Sequence, residues 1–235
     1  MAEEPKKTEL GPLASIEHAE AVIVVVAQVL NPSIFTETWL VKHDIVSADA
    51  FVGLRVFSAE MAQFQTKESQ VLVIPARLQI TVDLTKSDVD FAFPLKIALR
   101  SIQLLPQTPY QALGMNFNYF VTPPAGEDLP SYSRNLFGDG TGPLIRAFAS
   151  KDAKFGRYFS QDYESGRLKL DIKPVIAGPE HKDLLQFAFN FHYELSKVNE
   201  ADRPATLVRL LGTWESMRQH SLQLVELGLK SKNRG

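Results

Sequence analysis

Two short runs carry the residues best suited to chemistry, "MNFNYF" (115–120) and "FNFHYEL" (189–195). In the first, Asn116 and Asn118 alternate with Phe117 and Tyr119; in the second, Asn190, His192 and Glu194 alternate with Phe189, Phe191 and Tyr193. Strict alternation sorts residues onto the two faces of a strand, so each run predicts a polar face backed by an aromatic one. Were the two strands neighbours, the three amides, the imidazole and the carboxylate would share one surface. That surface would suit a polar ligand groove, in an enzyme or in a small-ligand binder. The competing expectation is a solvated face, the ordinary outer side of an antiparallel sheet.

A second candidate is "NLFGDGTGPLIRAF" (135–148), where Gly138, Gly140 and Gly142 precede a helix start at Pro143. Backbone amides at Gly140 and Gly142, with Arg146 one turn into the helix, could hold an anion. The nucleotide signatures fail. A phosphate-binding loop needs Lys and then Ser or Thr after its last glycine, whereas Pro143 and Leu144 stand here. A dinucleotide fingerprint needs a hydrophobic strand immediately upstream, and "EDLPSYSRN" is a polar, proline-containing stretch. The competing reading is a plain connector.

Other chemistries find little support. Asp83, Asp88 and Asp90 are clustered carboxylates, but they fall where a strand ends and a helix approaches, a position that favours Asp for turns and caps. The five histidines include no pair at helical metal-binding spacing, and neither a GxSxG nor an SxxK nucleophile motif occurs. With no cysteine, the chain has no disulfide, no thiolate metal site and no thiol nucleophile. No metal and no cofactor is expected.

The charge balance is even, 25 Lys and Arg against 27 Asp and Glu, with no basic stripe of the kind nucleic acid requires. The one basic cluster, Lys230, Lys232 and Arg234, reads as a solvated tail, so nucleic acid is not an expected partner. The most apolar run, "AVIVVVAQVL" (21–30), is about half the length of a membrane-spanning helix and rich in valine. It predicts a buried strand, and with a polar, mixed-charge N-terminus that is no leader peptide it predicts a cytoplasmic protein without a membrane partner.

The elements that must position these residues follow from periodicity. The run "QVLVIPARLQITVDLT" (70–85) reads as one extended stretch in which Leu78, Ile80, Val82 and Leu84 alternate with polar residues, and Pro75 within it argues for a bulge or an edge position. Pro94 opens a helix with Leu95, Leu99, Ile102 and Leu105 on its apolar side. Residues 157–176 predict a hairpin with its turn at Tyr163–Gly166 and Gly166 in a left-handed position. A single helix over 203–229, capped by Asp202, carries Leu207, Leu210, Trp214, Met217, Ser221 and Leu224 in a narrow stripe. Leu207, Leu210, Trp214, Met217 and Leu224 would either pack across the chain's own sheet or pair with a second subunit.

At "NPSIFTETWL", "VLVIPARLQITV" and "LQFAFNFHYEL" the chain resembles uncharacterised prokaryotic proteins of similar length. The resemblance implies a bacterial source and carries over no activity and no site residue. Together these readings predict an α+β protein, mainly antiparallel, with two long amphipathic helices and two similar halves. The halves are 16–121 and 134–229, between an arm at 1–15, a linker rich in Pro, Gly and Ser at 122–133 and a tail at 230–235. The expected function is a non-enzymatic interaction or assembly component with a protein partner or as a homo-oligomer; the alternative is an enzyme or ligand binder at the Asn116, Asn190 and His192 face.

Overall fold

Alternating β-branched and aromatic residues build three long strands: β1 (Ser15–Ala27), β6 (Tyr110–Thr122) and β9 (Lys182–Glu194). A computed structural model describes residues 14–84, 91–138, 140, 142–177 and 181–230. Around the three long strands lie β2 (Phe51–Phe57), β3 (Ala62–Thr66), β4 (Ser69–Ile74), β5 (Arg77–Asp83), β7 (Arg157–Tyr163) and β8 (Gly166–Ala177). All nine join one sheet in the order β2-β3-β4-β5-β1-β6-β9-β8-β7, and every pairing is antiparallel.

This overturns the expectation of two similar halves with two long helices. The strands bearing "NFNY" and "NFHY" are not equivalent members of separate units. They are the adjacent strands β6 and β9, paired in register with Phe117 opposite Phe189. Six helices are described: α1 (Glu37–Lys42), α2 (Ala92–Leu104), α3 (Leu129–Phe137), α4 (Pro143–Ala147), α5 (Arg203–Leu211) and α6 (Trp214–Leu229). The helix expected over 203–229 is broken at Gly212 and Thr213, where the Thr213 hydroxyl donates back to the Leu210 carbonyl at 2.7 Å. Among the described residues no helix is long and apolar enough to cross a membrane.

The helices pack on one face of the sheet, and that face holds the core. Met115, Phe117, Tyr119, Phe187, Phe189, Phe191 and Tyr193 are all nearly inaccessible there. Burying each such side chain contributes about 1.5–3 kcal/mol. The α5–α6 stripe meets this surface: Leu207, Leu210, Trp214 and Met217 are buried and Leu224 is partly buried against the core. Phe117 and Trp214 lie 4.7 Å apart between ring centroids.

Several local expectations are corrected. The Val-rich strand is not buried on both sides: Ala21, Ile23, Val25 and Ala27 are buried, whereas Val22, Val24 and Val26 face away from the helices and are half-buried. Pro75 is neither bulge nor edge but part of the tight turn joining β4 to β5, with Ile74 paired to Arg77. In the β7–β8 turn the left-handed residue is Glu164, at φ 51°. Gly166 is needed for a different reason, because a Cβ there would lie 2.6 Å from the His192 carbonyl and the Tyr193 ring. On α2 the buried side is Pro94, Ile97, Ala98, Ser101 and Ile102, while Leu95 and Leu99 are only partly covered.

Candidate functional site

The side of the sheet opposite the helices is organised in rows that the register fixes. One row crosses all nine strands: Val52, Gln65, Gln70, Thr81, Val22, Asn116, Asn190, Lys169 and Ser160. The next runs Val56, Gln63, Leu72, Gln79, Val24, Gly114, His192, Arg167 and Asp162. The middle of this face is therefore uncharged, a mixture of amides with half-buried Val22, Val24, Val26 and Leu72. Charge gathers at its margins, with Glu20 and Asp83 on β1 and β5, and with Lys169 and the ion pairs Arg167–Asp162 and Lys173–Asp171 on β7 and β8.

The five polar residues singled out from the sequence all stand on this face, but in three separate groups. Asn190 donates through Nδ2 to Asn116 Oδ1, and Asn116 in turn donates to the Val22 carbonyl at 3.4 Å. Asn118 donates to Glu20 Oε1 at 3.1 Å. His192 Nε2 and Glu194 Oε1 are 2.7 Å apart, the imidazole about one-third exposed and the carboxylate about two-thirds. Opposite His192 on β6 stands Gly114, so the second row has no side chain between Val24 and His192. These groups satisfy one another along the sheet rather than converging on one reacting atom.

A depression of about 580 Å³ indents the same face further along, over β1 to β5, lined in part by Glu20, Gln65, Lys67, Glu68, Thr81 and Asp83. None of the five residues lines it; Glu20, the partner of Asn118, is the link between the two regions. Glu20, Gln79, Thr81 and Val24 were missed from the sequence because β1 and β5 each looked like isolated strands. The alternation in 77–84 gives their facing, but only the pairing of β1 with both β5 and β6 brings them beside the asparagines.

The glycine loop takes a modest place. Gly142 precedes α4, which starts at Pro143 and is only five residues long, and Gly140, Gly142 and Arg146 are exposed. Upstream lies α3 rather than a loop: Asp128 caps it by accepting from the Ser131 amide at 2.7 Å. Of the carboxylate cluster, Asp83 ends β5 and is exposed, while Asp88 and Asp90 lie outside the described residues. In the basic tail only Lys230 is described, following α6.

A second polar group, also missed, lies half-buried on the helical side. His18 stacks on Tyr119 with ring centroids 4.3 Å apart, and its Nε2 has no hydrogen-bond partner among the described residues. The Tyr119 hydroxyl meets Ser221 Oγ at 2.7 Å, and Arg218 holds Glu215 through two contacts of 2.6 and 2.8 Å. Burial lowers the His18 pKa to about 4, the nearby Arg218 pushes it the same way, and Glu215 opposes them. Burial also raises the Tyr119 hydroxyl above its ordinary value. His18 was invisible as a core residue because a register irregularity between His18 and Glu20 turns it to the helical side. Comparison with protein-family models gives no match, and neither does comparison with curated proteins.

Proposed function

We propose that the protein is a non-enzymatic interaction component that docks a polypeptide partner on the helix-free face of its sheet. The observation that carries this reading is the composition of that face: an uncharged centre of amides and half-buried valines, with charge at its margins, Glu20 and Asp83 on β1 and β5 and the ion pairs Arg167–Asp162 and Lys173–Asp171 on β7 and β8. Protein interfaces share this plan, with charge depleted at the centre and retained at the rim. The amides already bond to one another or to the sheet backbone, an arrangement suited to a recognition surface more than to a reacting centre. A 235-residue chain without cysteine suits a reducing compartment, and we propose the cytoplasm as its place of work.

The test is differential co-purification from native cells. Val24→Lys and Asn190→Lys charge the centre of the face, and Leu144→Lys, on the exposed side of α4, serves as control. The expected result is a set of proteins lost from both face variants and retained by the control, with all three folded by circular dichroism. An unchanged set in the face variants overturns the reading.

One observation favours a second reading, a small-ligand site: the missing side chain at Gly114 beside His192 and Glu194. His192→Ala should then abolish ligand binding while leaving the melting temperature unchanged. A wild-type response in that variant removes it.

A further inference from the structure

The two edges of the sheet differ in a way that points to a partner. At the β2 edge the register breaks between Val52 and Val56, Gly53 sits at φ 65°, and Arg55 is tied to Glu37 at 2.8 Å. Such irregularity blunts an edge against pairing. The β7 edge has none of it. Arg157–Tyr163 pairs with β8 at every residue, contains no proline or lysine, and exposes Tyr158 and Phe159 at 61% and 48%. No strand covers its outer side among the described residues.

We infer that β7 is a self-association edge, pairing antiparallel with β7 of a second copy about a two-fold axis at Ser160. The phase of the hydrogen bonds selects this register. Tyr163 and Gly166 close the two-residue turn and are therefore a hydrogen-bonded pair. Alternation then directs the N–H and C=O groups of Tyr158, Ser160 and Asp162 away from β8. Centring on Ser160 sets Ser160 against Ser160 and Tyr158 against Asp162, so every outward group meets an outward group.

Charge selects the antiparallel direction and the identity of the partner. At the start of the strand Lys154 pairs with Asp183 at 2.8 Å and Arg157 lies over the Phe137 ring; at its end Asp162 pairs with Arg167 at 2.8 Å and Glu164 follows in the turn. An antiparallel copy brings Arg157 opposite Tyr163 of the other chain and next to its Glu164, whereas a parallel copy would set arginine against arginine. On the helical side, Phe159 of each copy reaches the other diagonally across the seam, within the range of an aromatic pair. The isologous contact closes at two copies, because β2, the other edge, is blunted. This inference goes beyond the reading of the open face: its variants lie on β7, and the face variants at Val24 and Asn190 leave this edge untouched.

Sedimentation velocity of the full chain over a range of concentrations tests it. The wild type is expected to show a monomer–dimer equilibrium. Ser160→Pro removes an outward N–H without removing a β8 bond and should leave a monomer; Tyr158→Asp, which sets a carboxylate against Asp162 of the other copy, should do the same if the proline variant fails to fold. Arg157→Glu should weaken the dimer about three- to tenfold, and Arg157→Glu with Glu164→Lys should restore it. A wild type that stays monomeric at the highest concentration, a dimer indifferent to Ser160→Pro and Tyr158→Asp, or a charge exchange that restores nothing each overturns the proposal. A partner lost from the Val24→Lys protein while the wild type stays monomeric would leave the open-face reading standing and remove this one.

Discussion

The two faces of the sheet are cut from the same strands at alternate residues, and they treat polar groups in opposite ways. On the helical face, Tyr119 and Ser221 bond to each other inside the core, and His18 is stacked beside them with one nitrogen unpartnered among the described residues. On the open face, Asn116, Asn190 and Asn118 are only half-buried and bond sideways along the sheet. A buried polar group must be satisfied within the fold or it costs stability, whereas an amide in contact with solvent can exchange its partner for water or for another chain. The helical face therefore specifies the structure, and the open face is free to vary its contacts.

The sharpest test of that contrast uses two adjacent residues. Phe117 is fully buried and packs on Trp214 and Phe191, with ring centroids 4.7 and 5.9 Å away. Phe117→Ala should cost about 3–5 kcal/mol in chemical denaturation, through lost burial and the cavity it leaves. Asn116→Ala, one residue away on the opposite face, should cost less than about 1 kcal/mol, because water replaces what the amide loses. Comparable losses at the two positions would break the contrast.

A smaller effect concerns His18. In the unfolded chain its imidazole takes up a proton near its ordinary value of 6.5, but in the folded protein only near 4. Between these values the unfolded state binds more protons, so stability falls as pH drops from about 6.5 towards 4 and then levels off for this group. Because the ring is only partly buried, the loss should be about 1–2 kcal/mol. His18→Phe keeps a ring against Tyr119 and should flatten this limb of a stability–pH profile relative to wild type. Profiles that superimpose would remove His18 from the acid response.

The sequence made the faces of individual strands legible and left their arrangement hidden. Leu113, Met115, Phe117, Tyr119 and Val121 are on the buried side, as their alternation predicts, and so are Leu185, Phe187, Phe189, Phe191 and Tyr193. Alternation carries no information about which strands are neighbours, so the single nine-stranded sheet was read as two units. The run of valines at 22–26 misled because hydrophobicity cannot distinguish a face covered by helices from one covered only by adjacent side chains. The break at Gly212 was masked by a stripe that keeps its spacing across it: Leu210 and Trp214 are both buried on either side of the interruption. In the candidate site, Asn116 and Asn190 share a face only if their strands are neighbours, a condition that alternation leaves open and that the pairing of β6 with β9 meets. Glu20 escaped because alternation does not show that β1 lies beside β6, where Glu20 stands opposite Asn118.

The smallest effect sharpens the comparison most. Gly114 lies mid-strand on the open face, and a Cβ there would meet its nearest neighbours, Asn116 Nδ2 and the Val24 side chain, at 3.7 Å, an ordinary contact. Neither sterics nor backbone conformation requires glycine, and glycine within a strand costs conformational entropy. Gly114→Ala should therefore raise stability by about 0.4–1 kcal/mol, measured by denaturant midpoint at unchanged slope. A glycine that weakens its own strand and is not needed to build it is what the proposed docking on the open face accounts for. The same variant should then bind its partner or ligand less well, because the added methyl group fills the gap between Val24 and His192. A gain in stability with undiminished binding would show that nothing enters the gap, and a loss of stability would mean that the open face is packed as tightly as the helical one.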